Sequence, residues 1–317
     1  MIKEKLNDIF VEDMSHFSQY QDMPDSVSEK TRAFIKIQDG CNNFCSYCII
    51  PYLRGRERSR SIDSIIKECS ELSKKGFKEI VINGIHLSSY GKEWGITLAD
   101  VVEKVSEIDG IERVRLGSLE PNVITDEFLN KVTKHKEFCR QYHLSLQSGS
   151  NGVLKRMNRK YTAEDYLKAV ERIRNNYSLS AISTDIITGF PGETEEEFNE
   201  TLLFQDKIGF AWVHVFPYSV REGTVAEKMP CQLEKEVKAE RARILSEKCR
   251  ENGIKYRKNF VGETKTVLCE TNDNGIQQGL TEEHIQVFFE SEPIENQFIK
   301  VKITEVIPDG LKGERID

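Results

Sequence analysis

Between residue 33 and about residue 218, short apolar runs alternate with stretches of helical period. The runs 33–38, 79–83, 111–117, 141–147, 181–187 and 211–216 read as strands. Helical patterns occupy 61–75, 97–108, 125–135, 162–176 and 194–207. Three of them open on a capping-box pair: Thr97 with Asp100, Thr162 with Asp165, Thr194 with Glu197. Six strands, each leading into a helical segment, predict an α/β fold with a parallel sheet and right-handed crossovers. Curling that sheet gives a barrel or partial barrel with ligands at the C-terminal strand ends. A long charged helix follows over 231–257, with Leu233, Val237, Ile244 and Leu245 on its apolar side. Beyond it the period changes to two, in 266–268, 285–289 and 298–303, punctuated by Gly262, Gly275, Gly279 and Pro293. That pattern predicts a small antiparallel β barrel. Residues 1–30 are polar and acidic, turn at Pro24-Asp25, and offer one short amphipathic helix on Ile2, Leu6, Ile9 and Phe10. They read as a linker or the remnant of an upstream domain.

At 317 residues the chain is long enough for one large core and a small second domain. No apolar run approaches the roughly 20 residues of a membrane span, and no basic segment leads into an apolar one at the N-terminus. The net charge of −7 weighs mildly against nucleic acid, although local basic clusters can outvote it. Of eight cysteines, three crowd one loop and five are scattered, the usage of a reducing cytoplasm, where clustered cysteines bind metal. Cys69 continues the stripe Ile62, Ile65, Ile66, Leu72 and reads as core; Cys139, Cys231, Cys249 and Cys269 show no ligand spacing.

The crowded loop is Gly40-Cys41-Asn42-Asn43-Phe44-Cys45-Ser46-Tyr47-Cys48, directly after the first strand. Three thiolates at C-x3-C-x2-C spacing suit three corners of a cubane [4Fe-4S] cluster. Full ligation takes four cysteines, so one iron is left open to a substrate or cofactor. A structural zinc knuckle is the alternative, but it wants four ligands, usually as two close pairs, and no partner pair follows. The other expected strands also end in polar or glycine-bearing signatures: Asn83-Gly84-Ile85-His86, Ser118-Leu119-Glu120-Pro121, Gln147-Ser148-Gly149, Asp185-Ile186-Ile187-Thr188-Gly189, and Tyr218-Ser219-Val220-Arg221. Each is common in ordinary loops, yet five converging on the edge where the cysteines emerge make that edge the candidate site.

With its aromatic residue before the last cysteine, the loop resembles the radical S-adenosylmethionine (SAM) superfamily. Ile37 to Cys41 and Ile49 to Arg60 resemble its methylthiotransferases, and the run Gly84 to Gly91, containing His86, resembles the subgroup acting on N6-threonylcarbamoyladenosine of tRNA. The resemblance implies a radical-SAM (β/α)6 partial barrel over 31–255 and a TRAM-like barrel over 256–317. It implies cluster ligation by Cys41, Cys45 and Cys48 and S-adenosyl-L-methionine held near Tyr47, Asn83, Glu120, Gln147, Ser148, Arg159 and Asp185. Electrons would come from a separate donor, and methylthiolation would fall on C2 of the modified adenine beside the anticodon. A monomer working in the cytoplasm on the tRNA anticodon stem-loop, with no membrane partner, is the expectation. The family's upstream domain carries three further cysteines for a second cluster, and no cysteine precedes Cys41 here. The chain therefore reads as lacking that domain and unable to complete sulfur insertion alone.

Arg54, Arg56, Arg58 and Arg60 alternate just past the cluster loop, where they form either a salt-bridged surface loop or a cradle for RNA phosphates. Arginine beside a cofactor site favours the cradle. His86 is either a substrate contact or a satisfied loop histidine. The C-terminal segment carries seven Lys/Arg against twelve Asp/Glu over 256–317, which argues against strong phosphate binding by that part alone. Two other functions compete: methylthiolation of an aspartate in a ribosomal protein, and an inert cluster-carrying RNA-binding protein.

Overall fold

The computed structural model describes Tyr20 and residues 31–316. The helix and linker expected over 1–30 therefore fall outside the described residues except at Tyr20, whose phenol donates to the Lys36 carbonyl at 2.8 Å.

Seven strands build the larger part: β1 (Ala33–Asp39), β2 (Arg58–Ser59), β3 (Glu79–Gly84), β4 (Arg113–Leu116), β5 (Gln141–His143), β6 (Ala181–Thr188) and β7 (Trp212–Pro217). They hydrogen-bond as β2-β1-β3-β4 and β5-β6-β7. Parallel bridges Val114–Phe138 and Leu119–Leu144 join the two sheets. All pairings are parallel except that of the two-residue β2 with β1. Six parallel strands thus run in chain order and curl into a partial barrel. Helices α2 (Ile62–Lys74), α3 (Leu98–Ser106), α4 (Asp126–Val132), α6 (Ala163–Asn176) and α7 (Glu195–Ile208) form the crossovers. Ile35, Ile37, Ile80 and Ile82 are buried with helix residues such as Ile65, Val101 and Val105, so alternate strand positions face the helices and the rest face the lumen. The three expected capping boxes are all present, satisfying backbone N–H groups at the first turns of α3, α6 and α7.

Two short helices were not expected, α1 (Ile50–Arg54) and α5 (Asn151–Arg156); neither spans enough turns to show a helical period. The run 141–147 forms regular strand only to residue 143. Gln147 has φ 71°, and a single bridge to Ile186 carries the chain on. The long helix α8 (Lys235–Lys258) begins four residues later than its charge pattern suggested, after Cys231 at φ 59°.

The remaining strands, β8 (Thr264–Asp273), β9 (Ile276–Leu280), β10 (Gln286–Glu290), β11 (Phe298–Ile307) and β12 (Gly310–Arg315), close a barrel in the order β10-β12-β11-β8-β9. One of its pairs, β10 with β12, is parallel, which corrects the purely antiparallel expectation. β9 (IQQGL) and β12 (GLKGER) have few apolar positions and carry no alternation of their own; pairing with β8, β10 and β11 makes them strands. Val267, Cys269, Val287, Phe289, Val301, Ile303 and Leu311 fill this second core. At the N-terminal strand ends of the partial barrel, Arg113 donates to the carbonyls of Leu280 (2.9 Å) and Thr266 (2.6 Å). Arg115 donates to those of Glu282 (2.9 Å) and Thr281 (3.3 Å). The small barrel thereby covers that end, leaving the C-terminal edge open.

Candidate active site

Strand β1 delivers the cysteine loop to the open edge. Gly40 makes the turn with φ 71°; a Cβ there would lie 1.8 Å from the Arg56 carbonyl oxygen, so only glycine fits. The loop is then pinned from below by the segment after α5. Asn158 Nδ2 donates to the carbonyls of Phe44 (2.8 Å) and Asn43 (3.3 Å), Ser46 N–H to that of Met157 (3.0 Å), and the Ser46 hydroxyl to that of Arg156 (2.8 Å). Cys41, Cys45 and Cys48 are each partly exposed. Burial pushes the Cys41 thiol up to about 11, against the Asn43 N–H that donates to its sulfur, and repulsion from Cys45, Glu57 and Cys48 adds to the rise. Burial also raises Cys48. Arg159 Nη1 lies 3.3 Å from Cys45 Sγ.

Ionisation of Cys41 is opposed by both neighbouring thiols and that of Cys48 by Cys45, an arrangement that suits a positively charged group bound through thiolates. Among the described residues, no three His, Cys, Asp or Glu side chains converge tightly enough for a single metal ion. A cubane takes each thiolate at a separate corner, and the donor set fits a cluster in that way. The zinc alternative needs four donors about one point.

Beside the loop, Glu120 is the hub of a charged network. Its carboxylate accepts from Asn43 Nδ2 at 2.8 Å and pairs with Arg159 Nη2 and His86 Nε2, both at 3.2 Å. The other ring nitrogen of His86 meets Glu57 Oε1 at 2.9 Å. Burial opposes charging this ring, but the hydrogen bonds to Glu120 and then Glu57 raise its pKa to about 9. His86 is thus clamped by two carboxylates, the satisfied-histidine arrangement, and it also walls the cavity beside the loop. Glu57 and Asn43 were not singled out by the sequence; their roles come only from the chain folding back.

The structure brings together Cys41, Cys45, Cys48, His86, Glu120 and Arg159. Asn83 lies at the end of β3 with its carboxamide over Gly117, where a Cβ would come within 2.3 Å of its oxygen. Asp185 faces the lumen from β6, and its carboxylate meets His143 Nε2 at 3.2 Å. His143 and His214, on the neighbouring strands, were not singled out by the sequence; their rings are 6.1 Å apart. Tyr47 packs edge-on against Phe190 at 6.2 Å. Gln147 stands between β5 and β6, its N–H donating to the Asp185 carbonyl at 2.9 Å. Ser148 is turned away: it is fully buried, its hydroxyl 3.2 Å from that of Thr201 on α7.

The four arginines expected as a cradle meet different surroundings. Arg58 is 3% exposed and spends its guanidinium on Asp39 and on the carbonyls of Arg54 and Arg56. Arg60 is ion-paired with Glu68. Arg54 forks onto Asp39 at 2.8 and 3.1 Å while staying partly exposed. Arg56 is the most open of the four to solvent, its guanidinium 5.1 Å over the Phe44 ring. Alternation along an irregular loop does not keep side chains on one face, so the sequence could not distinguish these roles.

Fold and cysteine loop together define the class, a partial-barrel domain of the radical SAM kind. The family profile described as the Radical SAM superfamily matches residues 35–204. The threonylcarbamoyladenosine tRNA methylthiotransferase MtaB of Chlamydia pneumoniae is 41% identical over 296 residues, 91% of this chain and 69% of that protein. The tRNA-2-methylthio-N(6)-dimethylallyladenosine synthase of Thermoanaerobacter pseudethanolicus is 39% identical over 303 residues, 94% of this chain and 64% of that protein. The chain belongs to the radical SAM superfamily and, within it, to the tRNA methylthiotransferase family. It spans about two thirds of the length of these curated relatives. A likeness of fold extends to the radical S-adenosylmethionine methyltransferase TsrM from Kitasatospora setae, solved with cobalamin and a [4Fe-4S] cluster bound. Its TM-score is 0.52 at 16% identity, covering 78% of this chain and 42% of that one. Among the described residues, no helix is long and apolar enough to cross a membrane.

Proposed function

We propose that this chain carries the radical-generating part of a tRNA methylthiotransferase, directed at C2 of N6-threonylcarbamoyladenosine beside the anticodon. The observation that carries the reading is the cysteine loop, set at the open edge of a six-stranded parallel partial barrel and braced by Arg159. When bound, a [4Fe-4S] cluster and S-adenosyl-L-methionine would supply reductive cleavage of a sulfonium bond to a 5′-deoxyadenosyl radical. Cys41, Cys45 and Cys48 would hold the cluster, and Arg159 would keep its positive charge against Cys45. Asp185, on β6 and held by His143, would accept hydrogen bonds from ribose hydroxyls. Glu120, fixed by Asn43 and His86, would offer its carboxylate to the ammonium of the methionyl part. Arg56, exposed, and Arg54, partly exposed, would meet RNA phosphates. The first relative's name and the run Gly84 to Gly91 support the threonylcarbamoyl substrate.

The test has two arms. Anaerobically reconstituted chain, given S-adenosyl-L-methionine and dithionite, is expected to form 5′-deoxyadenosine, and a Cys45→Ala chain none. Mass spectrometry of tRNA digests from cells lacking the gene is expected to show threonylcarbamoyladenosine without its 2-methylthio form. A full cluster with no 5′-deoxyadenosine favours an inert carrier, and an unchanged tRNA profile sinks the substrate assignment.

A further inference from the structure

Beside the cysteine loop lies a cavity of about 700 Å³ between the connections that leave β3 and β4. Asn43, His86 and Glu120 form its wall toward the cysteines, so whatever fills it sits next to the reacting edge. Two exposed lysines, Lys92 and Lys160, line it from different loops. Neither forms an ion pair among the described residues; Lys160 donates one hydrogen bond, to Asn158 Oδ1 at 2.7 Å. Lys131, by contrast, is neutralised by Asp100 and Glu103 at 2.5 and 2.9 Å. Asn122, exposed on the lining, offers a further donor and acceptor.

The two relatives differ by name in the group on N6 of their target adenine, threonylcarbamoyl in one and dimethylallyl in the other, at 41% and 39% identity. Overall identity therefore does not choose between them, whereas the two lysines, set on a lining that also holds Leu98, Val123, Phe128 and Glu127, favour the arm that carries a negative charge. A dimethylallyl arm is wholly apolar and would strip water from two ammonium groups with nothing in return. A threonylcarbamoyl arm ends in a carboxylate and carries a hydroxyl and a ureido group, each with a partner type on this lining.

Resting on the tRNA reading above, we infer that this cavity receives the N6 substituent of the target adenine and that Lys92 and Lys160 read its carboxylate. Substrate choice then rests on two surface lysines outside the barrel lumen, separate from the groups that would hold cluster and cofactor.

Fluorescence anisotropy of the reconstituted chain tests it with three anticodon stem-loops that differ only at N6: threonylcarbamoyl, its methyl ester, and dimethylallyl. The acid is expected to bind about tenfold tighter than either of the others, the size of one charge-assisted contact. In the double variant Lys92→Ala/Lys160→Ala the acid should fall to the affinity of the ester, while the ester itself shifts less than about twofold. Equal binding of acid and ester overturns the inference alone, as does a preference for dimethylallyl. So does an equal loss for all three loops in the variant, which would mark the lysines as general phosphate contacts. Failure of every loop to bind wild type would overturn the inference together with the tRNA reading beneath it.

Discussion

His86 shows how one side chain ties charge to stability. Its ordinary pKa is about 6.5, and in the fold it rises to about 9 because Glu120 and Glu57 hold the ring. The folded state therefore binds the proton more tightly than the unfolded chain. The contribution is complete below pH 6.5 and disappears as pH climbs through 9. Urea unfolding of wild type and His86→Asn across pH 6 to 10 should show a stability difference that shrinks by about 2–3 kcal/mol over that window. A constant difference would mean the ring is neutral when folded. The arginines make a second contrast at this scale. Arg56→Ala, at an exposed site, should leave stability within about 0.5 kcal/mol and lower the salt slope of tRNA binding by about one. Arg58→Ala strips a buried partner from Asp39 and should cost about 3 kcal/mol in chemical denaturation.

Among the elements, the cysteine loop depends most on one backbone position. With the Arg56 carbonyl already filling the space a Cβ would need, Gly40→Ala must push the loop away from the segment at Gly55. The three sulfurs then lose their common mouth. Iron and sulfide taken up during anaerobic reconstitution should fall well below wild type, while the far-ultraviolet dichroism of the barrel persists. Normal uptake would show that the loop tolerates the shift. The regular crossovers were legible in advance because their apolar stripes and N-caps are local properties. By contrast, α1, α5 and β2 are short and make sense only against partners: Arg58 and Ser59 pair with Gln38 and Asp39 after the chain has turned back through the cysteine loop.

On the scale of the whole molecule, the two cores are tied through buried charge. Glu79 is fully buried, Arg115 is 3% exposed, and their hydrogen bond of 2.9 Å stands where Arg115 also reaches Thr281 and Glu282 of the small barrel. Burial alone would raise the Glu79 carboxyl, but attraction from Arg115 and then Arg113 holds it below its ordinary value. Arg115→Leu leaves that carboxylate without its closest partner and should cost about 3–5 kcal/mol. It should also expose the junction near Lys258–Thr264 to limited proteolysis before the partial barrel unfolds. A single cooperative transition with unchanged cleavage would show that apolar contacts alone hold the parts together.

From its sequence alone, this chain announced the parallel strand–helix succession, the three capping boxes, the change of period near residue 259 and the spacing of the cysteines. All of these are encoded within a few residues of one another, in hydrophobic period and short-range hydrogen bonding. Tertiary structure decided what long-range contact alone can settle: which arginines point inward, which carboxylates clamp His86, that Ser148 turns to α7, and that Lys92 and Lys160 share a cavity. Those outcomes depend on segments dozens of residues apart arriving at one place, and no local pattern records which neighbour a polar side chain will meet.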